Sequence, residues 1–210
     1  MKKEPKKEQN ALNAQERILA AAADVFAEKG YDAAGVDEIA ARANVTKPLI
    51  YYYFKGKKTI LEELVKRYVT GIAEQKKRFI MSMDTVDANA LSEAVDLRAG
   101  MFSQNSKVLK VIAMELLKEK PAGDSLPDLI QPMLDVTLPK FEELGLDADD
   151  RVDLVMTGLF FGTIPTLALM LFRDRCSEVL HIEKSELDRK FYETYKRMYL
   201  PYFARFFRQP

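Results

Sequence analysis

Five basic side chains, Arg42, Lys47, Lys55, Lys57 and Lys58, fall between Arg42 and Leu61 with no acid among them, and Tyr51, Tyr52 and Tyr53 stand in their midst. Cations neutralise phosphates, and phenol rings add a hydroxyl and a flat apolar face. Such a mixture on a short segment suits contact with the backbone and base edges of nucleic acid. A solvated basic face has the same charge count. Competing chemistries lack residues. Cys176 is the single cysteine and His181 the single histidine, too few for a disulfide frame, a zinc site or a histidine-based triad. The acids from Asp147 to Asp153 read as helix-start and surface charges. No catalytic residue, metal or cofactor is expected.

The 32 basic and 32 acidic residues cancel over the 210-residue chain, but they are not evenly spread. Up to Thr70 there are 13 basic and 10 acidic groups; beyond it there are 19 and 22, so the basic segment sits in the more positive part. Hydrophobic residues at 48% exclude a disordered chain. The opening MKKEPKKEQN lacks an apolar run, which argues for a cytoplasmic protein. It reads as a disordered basic arm over residues 1–13, solvated or touching DNA through Lys2, Lys3, Lys6 and Lys7.

The elements that position the basic segment are helical. Ile18, Leu19, Ala22, Ala23 and Phe26 make one stripe of a helix over 14–29 that Gly30 ends. Asp37 and Glu38 suit the first turn of a second helix, with Ile39, Ala40 and Ala43 turned inward. Asn44 tolerates the left-handed turn that follows, Thr46 offers a capping hydroxyl, and Pro48 sits in the first turn of a short third helix. Helix, tight turn and short helix over 36–54 is the geometry that lays a reading helix in a major groove. A long amphipathic helix is expected from Lys58, and further helices near 87–103, 106–119, 126–144, 149–175 and 186–208, with no strand and no repeat. Pro132, Pro139 and Pro201 are expected to kink their helices.

The stretch from Arg17 to Leu61 resembles the amino-terminal domain of TetR-family transcriptional repressors. Arg17-Ile18-Leu19, Ala22-Ala23, Phe26, Gly30-Tyr31, Ile39-Ala40, Val45-Thr46, Ile50-Tyr51, Phe54, Lys57 and Leu61 carry the likeness. Two positions depart from it: Ala34 and Gly35 stand where hydroxyl residues are usual, and Asn44 where glycine is usual. The resemblance implies an all-α protein with a helix-turn-helix domain over 14–57 and a helical ligand-binding and dimerisation domain over 58–210. It places Lys47, Pro48, Leu49 and Tyr52 toward base edges, and Thr46, Tyr51, Tyr53 and Lys57 toward phosphates. Tyr51 and Tyr53 can equally pack on the first helix, and Val45, Ile50 and Phe54 read as core.

Beyond residue 58 the likeness is in helical layout alone. It implies a homodimer on double-stranded operator DNA, a small-molecule effector, and a four-helix interface from the last two helices, with Gly158, Gly162, Phe203 and Phe206 at the contact. Phe102, Gln104, Met114, Met133, Thr137, Phe160 and Thr163 are the candidate pocket for an apolar or aromatic effector, and each has ordinary core packing as its alternative. The uncharged run from Leu154 to Phe172 is near the length that crosses a bilayer. Its three threonines, its proline, and the mixed charges flanking it favour burial in a core or interface over a membrane partner. A helical enzyme and a membrane-anchored protein remain the alternatives from other classes.

Overall fold

A computed structural model describes residues 5–122, 126–146 and 151–207, with side chains over 14–122, 131–146 and 151–207. Among the described residues there is no strand, and one isolated antiparallel bridge joins Leu146 to Phe207. Two compact units emerge, one of residues up to Gly71 with Lys107–Ile130, the other of Ile72–Ser106 with residues from Gln131 onward.

In the first unit, α1 (Pro5–Lys29) buries Ile18, Leu19, Ala22, Val25 and Phe26. It begins well before residue 14, within the stretch read from sequence as a disordered arm. From Pro5, whose missing N–H costs nothing at a helix start, no glycine or further proline interrupts residues 6–29, so the turn can propagate. Gly30 ends it at φ +82°, and an added Cβ there would meet Met114 Cε at 3.3 Å, so backbone angle and space both demand glycine.

α2 (Val36–Ala43) buries Ile39, Ala40 and Ala43 and starts at Gly35, which has no side chain to cap it. It closes on Asn44 at φ 52° and ψ 52°, with Asn44 N donating to Ala41 O at 3.2 Å and Val45 N to Ala40 O at 3.0 Å. The left-handed turn is thus made by asparagine. α3 (Lys47–Tyr53) follows directly, anchored by buried Ile50. α4 (Lys57–Met81) contributes Ile60, Leu61, Leu64 and Val65 to the same core, and α6 (Ser106–Leu116) adds Val111 and Ile112.

In the second unit, α5 (Ala88–Gln104) is capped by the Asp87 carboxylate, which accepts from Ala90 N at 2.8 Å. α7 spans Leu126–Glu143 with Pro132 and Pro139 inside it. α8 (Arg151–Met156) runs through a π-helical turn, Thr157–Thr163, into α9 (Ile164–Leu180), and α10 covers Lys184–Phe203 before a short 3-10 turn. Pro165 has no N–H for the carbonyl four residues back, and the Thr163 hydroxyl donates to Gly158 O at 3.0 Å, so the α ladder is interrupted and widens. α9 continues to Leu180, past the expected end at 175, because its stop is the left-handed His181 at φ 53°. Along α10, Phe191, Tyr195, Tyr199 and Phe203 form a ladder with successive ring centroids 5.7, 5.1 and 5.3 Å apart. They join Leu91, Val95, Phe141, Leu146, Leu154, Phe206 and Phe207, or pack against them, in one core.

Candidate nucleic-acid interface

α3 is too short to hold itself, so its outward face depends on what anchors the inward one. Ile50 and Phe54 are buried, and Val45 and Tyr53 pack partly against the amino-terminal core. That leaves Thr46, Lys47, Pro48, Tyr51 and Tyr52 exposed on one surface, with Tyr52 79% accessible and Tyr51 50%. Leu49 is half-buried beside them. The Tyr52 and Tyr53 rings meet edge to face at 5.0 Å, which fixes the direction of the outer ring. The Thr46 hydroxyl makes no cap; its carbonyl accepts from Leu49 N at 3.0 Å and Ile50 N at 3.4 Å, so the side chain is left toward solvent.

The cations around this surface are mostly engaged. Lys47 Nζ sits 2.9 Å from the Asp37 carboxylate, and the hydrogen bond to that carboxylate holds the lysine above its usual pKa. Arg42 grips Glu28 with two bonds of 2.6 and 2.8 Å, which lowers the glutamate and raises the arginine. Lys58 lies 3.7 Å from Glu62. Lys55 is exposed and makes no ion pair among the described residues.

Lys57 corrects its sequence assignment as a phosphate contact. Its ammonium donates to Tyr31 O and Asp32 O at 2.9 Å each and to Ala34 O at 3.3 Å, and lies 4.6 Å from the centre of the Tyr31 ring. All three hydrogens are spent on backbone carbonyls, so Lys57 pins the start of α4 to the α1–α2 turn. Lys118 ties the same turn from beyond α6, through Asp32 at 2.6 Å and the buried Glu115 at 2.5 Å, while Glu115 accepts from Ala122 N at 3.0 Å. Sequence reasoning missed Asp37, Glu115 and Lys118. Only Asp37 left a signal, as the nearest acid preceding Lys47 apart from its neighbour Glu38.

The other expected groupings are dispersed. Phe203, 8% exposed, and Phe206 belong to the second unit's own core. Gly162 accommodates the same chain's Tyr199, whose Oη would lie 2.8 Å from an added Cβ; Gly158 has open space around it. The surface those residues were expected to supply is instead made of Phe160, Phe161, Ile164 and Phe172 on the long helix, with Met198 and Tyr202 on α10, all exposed. Arg151–Leu180 is long and apolar enough to cross a membrane, and 22% of its most apolar window is buried. Of the pocket candidates, Met114 belongs to the first unit and Phe102 to the second. The Thr137 hydroxyl is spent on Met133 O at 2.5 Å and that of Thr163 on Gly158 O, while Gln104 and Phe160 are exposed.

Comparison with known proteins bears on this surface. Residues 18–64 match the family model described as bacterial regulatory proteins, tetR family. Over 96 residues, 46% of this chain and 43% of the relative, the sequence is 32% identical to the HTH-type transcriptional activator FasR of Mycolicibacterium smegmatis. Over 51 residues, 24% of this chain and 27% of the relative, it is 43% identical to IcaR of Staphylococcus aureus, the negative transcriptional regulator of the biofilm operon icaADBC. These matches span less than half the length of either relative. The fold is similar over 86% of this chain and 96% of the other to the transcriptional regulator FadR of Bacillus subtilis, solved in complex with stearoyl-CoA, with a TM-score of 0.59 at 19% identity. The matched residues are the helices that anchor and present α3, and through them this chain belongs to the TetR family of transcriptional regulators.

Proposed function

We propose that the chain acts in the cytoplasm as a homodimeric repressor, binding double-stranded operator DNA through α3 and releasing it when a small apolar effector binds the second unit. The observation that carries this reading is the division of α3 into a buried anchor, Ile50 with Phe54 behind it, and an exposed face of Lys47, Pro48, Tyr51 and Tyr52. In a major groove the Lys47 ammonium suits guanine O6 and N7, and the proline and tyrosine surfaces suit thymine methyls. Thr46, Tyr51 and Tyr53 offer hydroxyls to phosphates. Two copies place two such faces about one helical turn apart, about 34–36 Å, and so call for a pseudo-palindromic site.

The exposed apolar face of Phe160, Phe161, Ile164 and Phe172, with Met198 and Tyr202, supports a second copy as its cover. The structural neighbour in complex with stearoyl-CoA supports an apolar effector. Activation is the second reading, favoured by the activator named in the 32% match.

Selection from a random duplex library, followed by anisotropy titration, tests the DNA reading. The expected result is an enriched palindrome whose sequence preference relaxes in Lys47→Ala. No enrichment and no binding at low salt overturn it. A promoter–reporter assay separates repression from activation. Purification without detergent is expected; extraction by detergent alone would assign Arg151–Leu180 to a membrane instead.

A further inference from the structure

Two cations of the second unit face each other without an anion. Arg98 on α5 donates from Nη1 to Tyr195 Oη at 3.0 Å, and that hydroxyl donates to Gly162 O, inside the π turn, at 2.8 Å. The guanidinium carbon lies 6.0 Å from the centre of the Tyr199 ring. One N–H of the guanidinium is used in this way, and the rest of the fork has no acceptor among the described residues. Lys76, on the second half of α4, is desolvated beside Arg98, and burial together with the Arg98 charge lowers it to about 8.

Among the described residues neither cation has a carboxylate within ion-pair distance. The acid closest along α5, Asp96, is taken by Lys196 at 2.6 Å, and Asp188 is taken by Arg173. Holding two like charges together away from water costs free energy, and an anion between them reverses the sign.

The surroundings have space. Leu167, Ala168, Leu169, Met170 and Leu171 are each half-buried, none sealed and none exposed. Five consecutive residues sweep more than a full helical turn, so this apolar stretch of α9 is loosely covered in every direction. Leu97, Arg98, Ala99 and Gly100 on α5 share that condition, and so do Pro132, Met133 and Leu134 on α7. Core helices are packed more tightly.

We propose that Lys76 and Arg98 bind the head group of an amphiphilic carboxylate whose apolar tail lies along Leu167–Leu171. The planar fork of Arg98 receives a carboxylate side-on, Lys76 supplies the second charge, and the tyrosine pair holds the fork in place. This deepens the effector reading and rests on it.

Calorimetric titration of the full chain with dodecanoate, dodecanol and dodecyl phosphate, each below its micellar concentration, tests the site. Wild type is expected to bind dodecanoate at least tenfold more tightly than dodecanol. Lys76→Met and Arg98→Met are expected to abolish that preference while leaving dodecanol binding in place, and Arg98→Lys to retain part of it. Lys76→Met removes a desolvated charge and keeps the apolar stem, so it carries the test by itself if Arg98→Met fails to fold. Equal affinity for the acid and the alcohol, no binding of either, or an undiminished preference in Lys76→Met overturns the proposal. Dodecyl phosphate binding tenfold more tightly than dodecanoate overturns the carboxylate assignment. Operator release is read separately, by anisotropy: dodecanoate that binds without releasing DNA overturns the effector reading and leaves the anion site standing.

Discussion

Replacing Lys57 by methionine separates two roles that the same residue cannot fill together. The substitution keeps the apolar stem and removes the charge that serves Tyr31 O, Asp32 O and Ala34 O. The bond to Asp32 O is exposed, so water replaces it at little cost; those to Tyr31 O and Ala34 O are part-buried. Two part-buried bonds from one charged donor, with the contact to the Tyr31 ring, amount to a loss on the order of 2 kcal/mol. For a chain of this size that lowers Tm by roughly 4–8 °C. Thermal unfolding followed by circular dichroism measures the shift, and anisotropy at several salt concentrations measures the phosphate contacts. The pinning role predicts a lower Tm with an unchanged salt slope for the folded fraction. An unchanged Tm with a slope shallower by about 0.9 would refute it and return Lys57 to the phosphate backbone.

Asp37→Asn frees Lys47 and removes an acid from the groove-facing side, so operator binding at low salt is expected to tighten roughly two- to tenfold; weaker binding in the anisotropy titration counts against Lys47 as a DNA contact. Gly162→Ala brings a methyl against Tyr199 Oη and Arg98 Nη1, at 2.8 and 3.1 Å, and is expected to cost about 1–3 kcal/mol, read as a fall in Tm. Gly158→Ala, with nothing within 4 Å, serves as the control that holds its Tm. Phe161→Glu places a charge on a residue 66% exposed in the single chain, so the fold should survive while light scattering reports a monomer; an unaltered dimer mass removes this face from the interface.

The amino-terminal helices were legible because their signals are local. The stripe of Ile18, Leu19, Ala22 and Phe26, the stop at Gly30 and the turn at Asn44 each act within one or two helical turns, and the structure has them where the pattern put them. Lys57 misled because its acceptors are loop carbonyls more than 20 residues away, and nothing in the residues of that loop announces them. Phe203 and Phe206 misled for a different reason: an apolar helix face does not say whether its cover comes from its own chain or a second one. Gly162 did mark a close approach, but the approaching group was Tyr199, placed by the i, i+4 ladder of α10. Lys76 and Arg98 carried no signal, since two basic residues on separate helices become a pair only once the second unit is folded.

The π turn at Thr157–Thr163 has a bearing on descent. A π turn holds one residue more than the α-helix it interrupts, which makes it the footprint of a single-codon insertion. Removing one residue there would restore the α register but rotate everything from Ile164 to Leu180 by about 100°, carrying Phe172 off the side it now shares with Phe161. Selection that keeps the downstream surface must therefore keep the insertion. Any homologue with an uninterrupted α-helix at this point should align to the chain only through a one-residue gap between Thr157 and Thr163, and its surface aromatics should be shifted by one position to match.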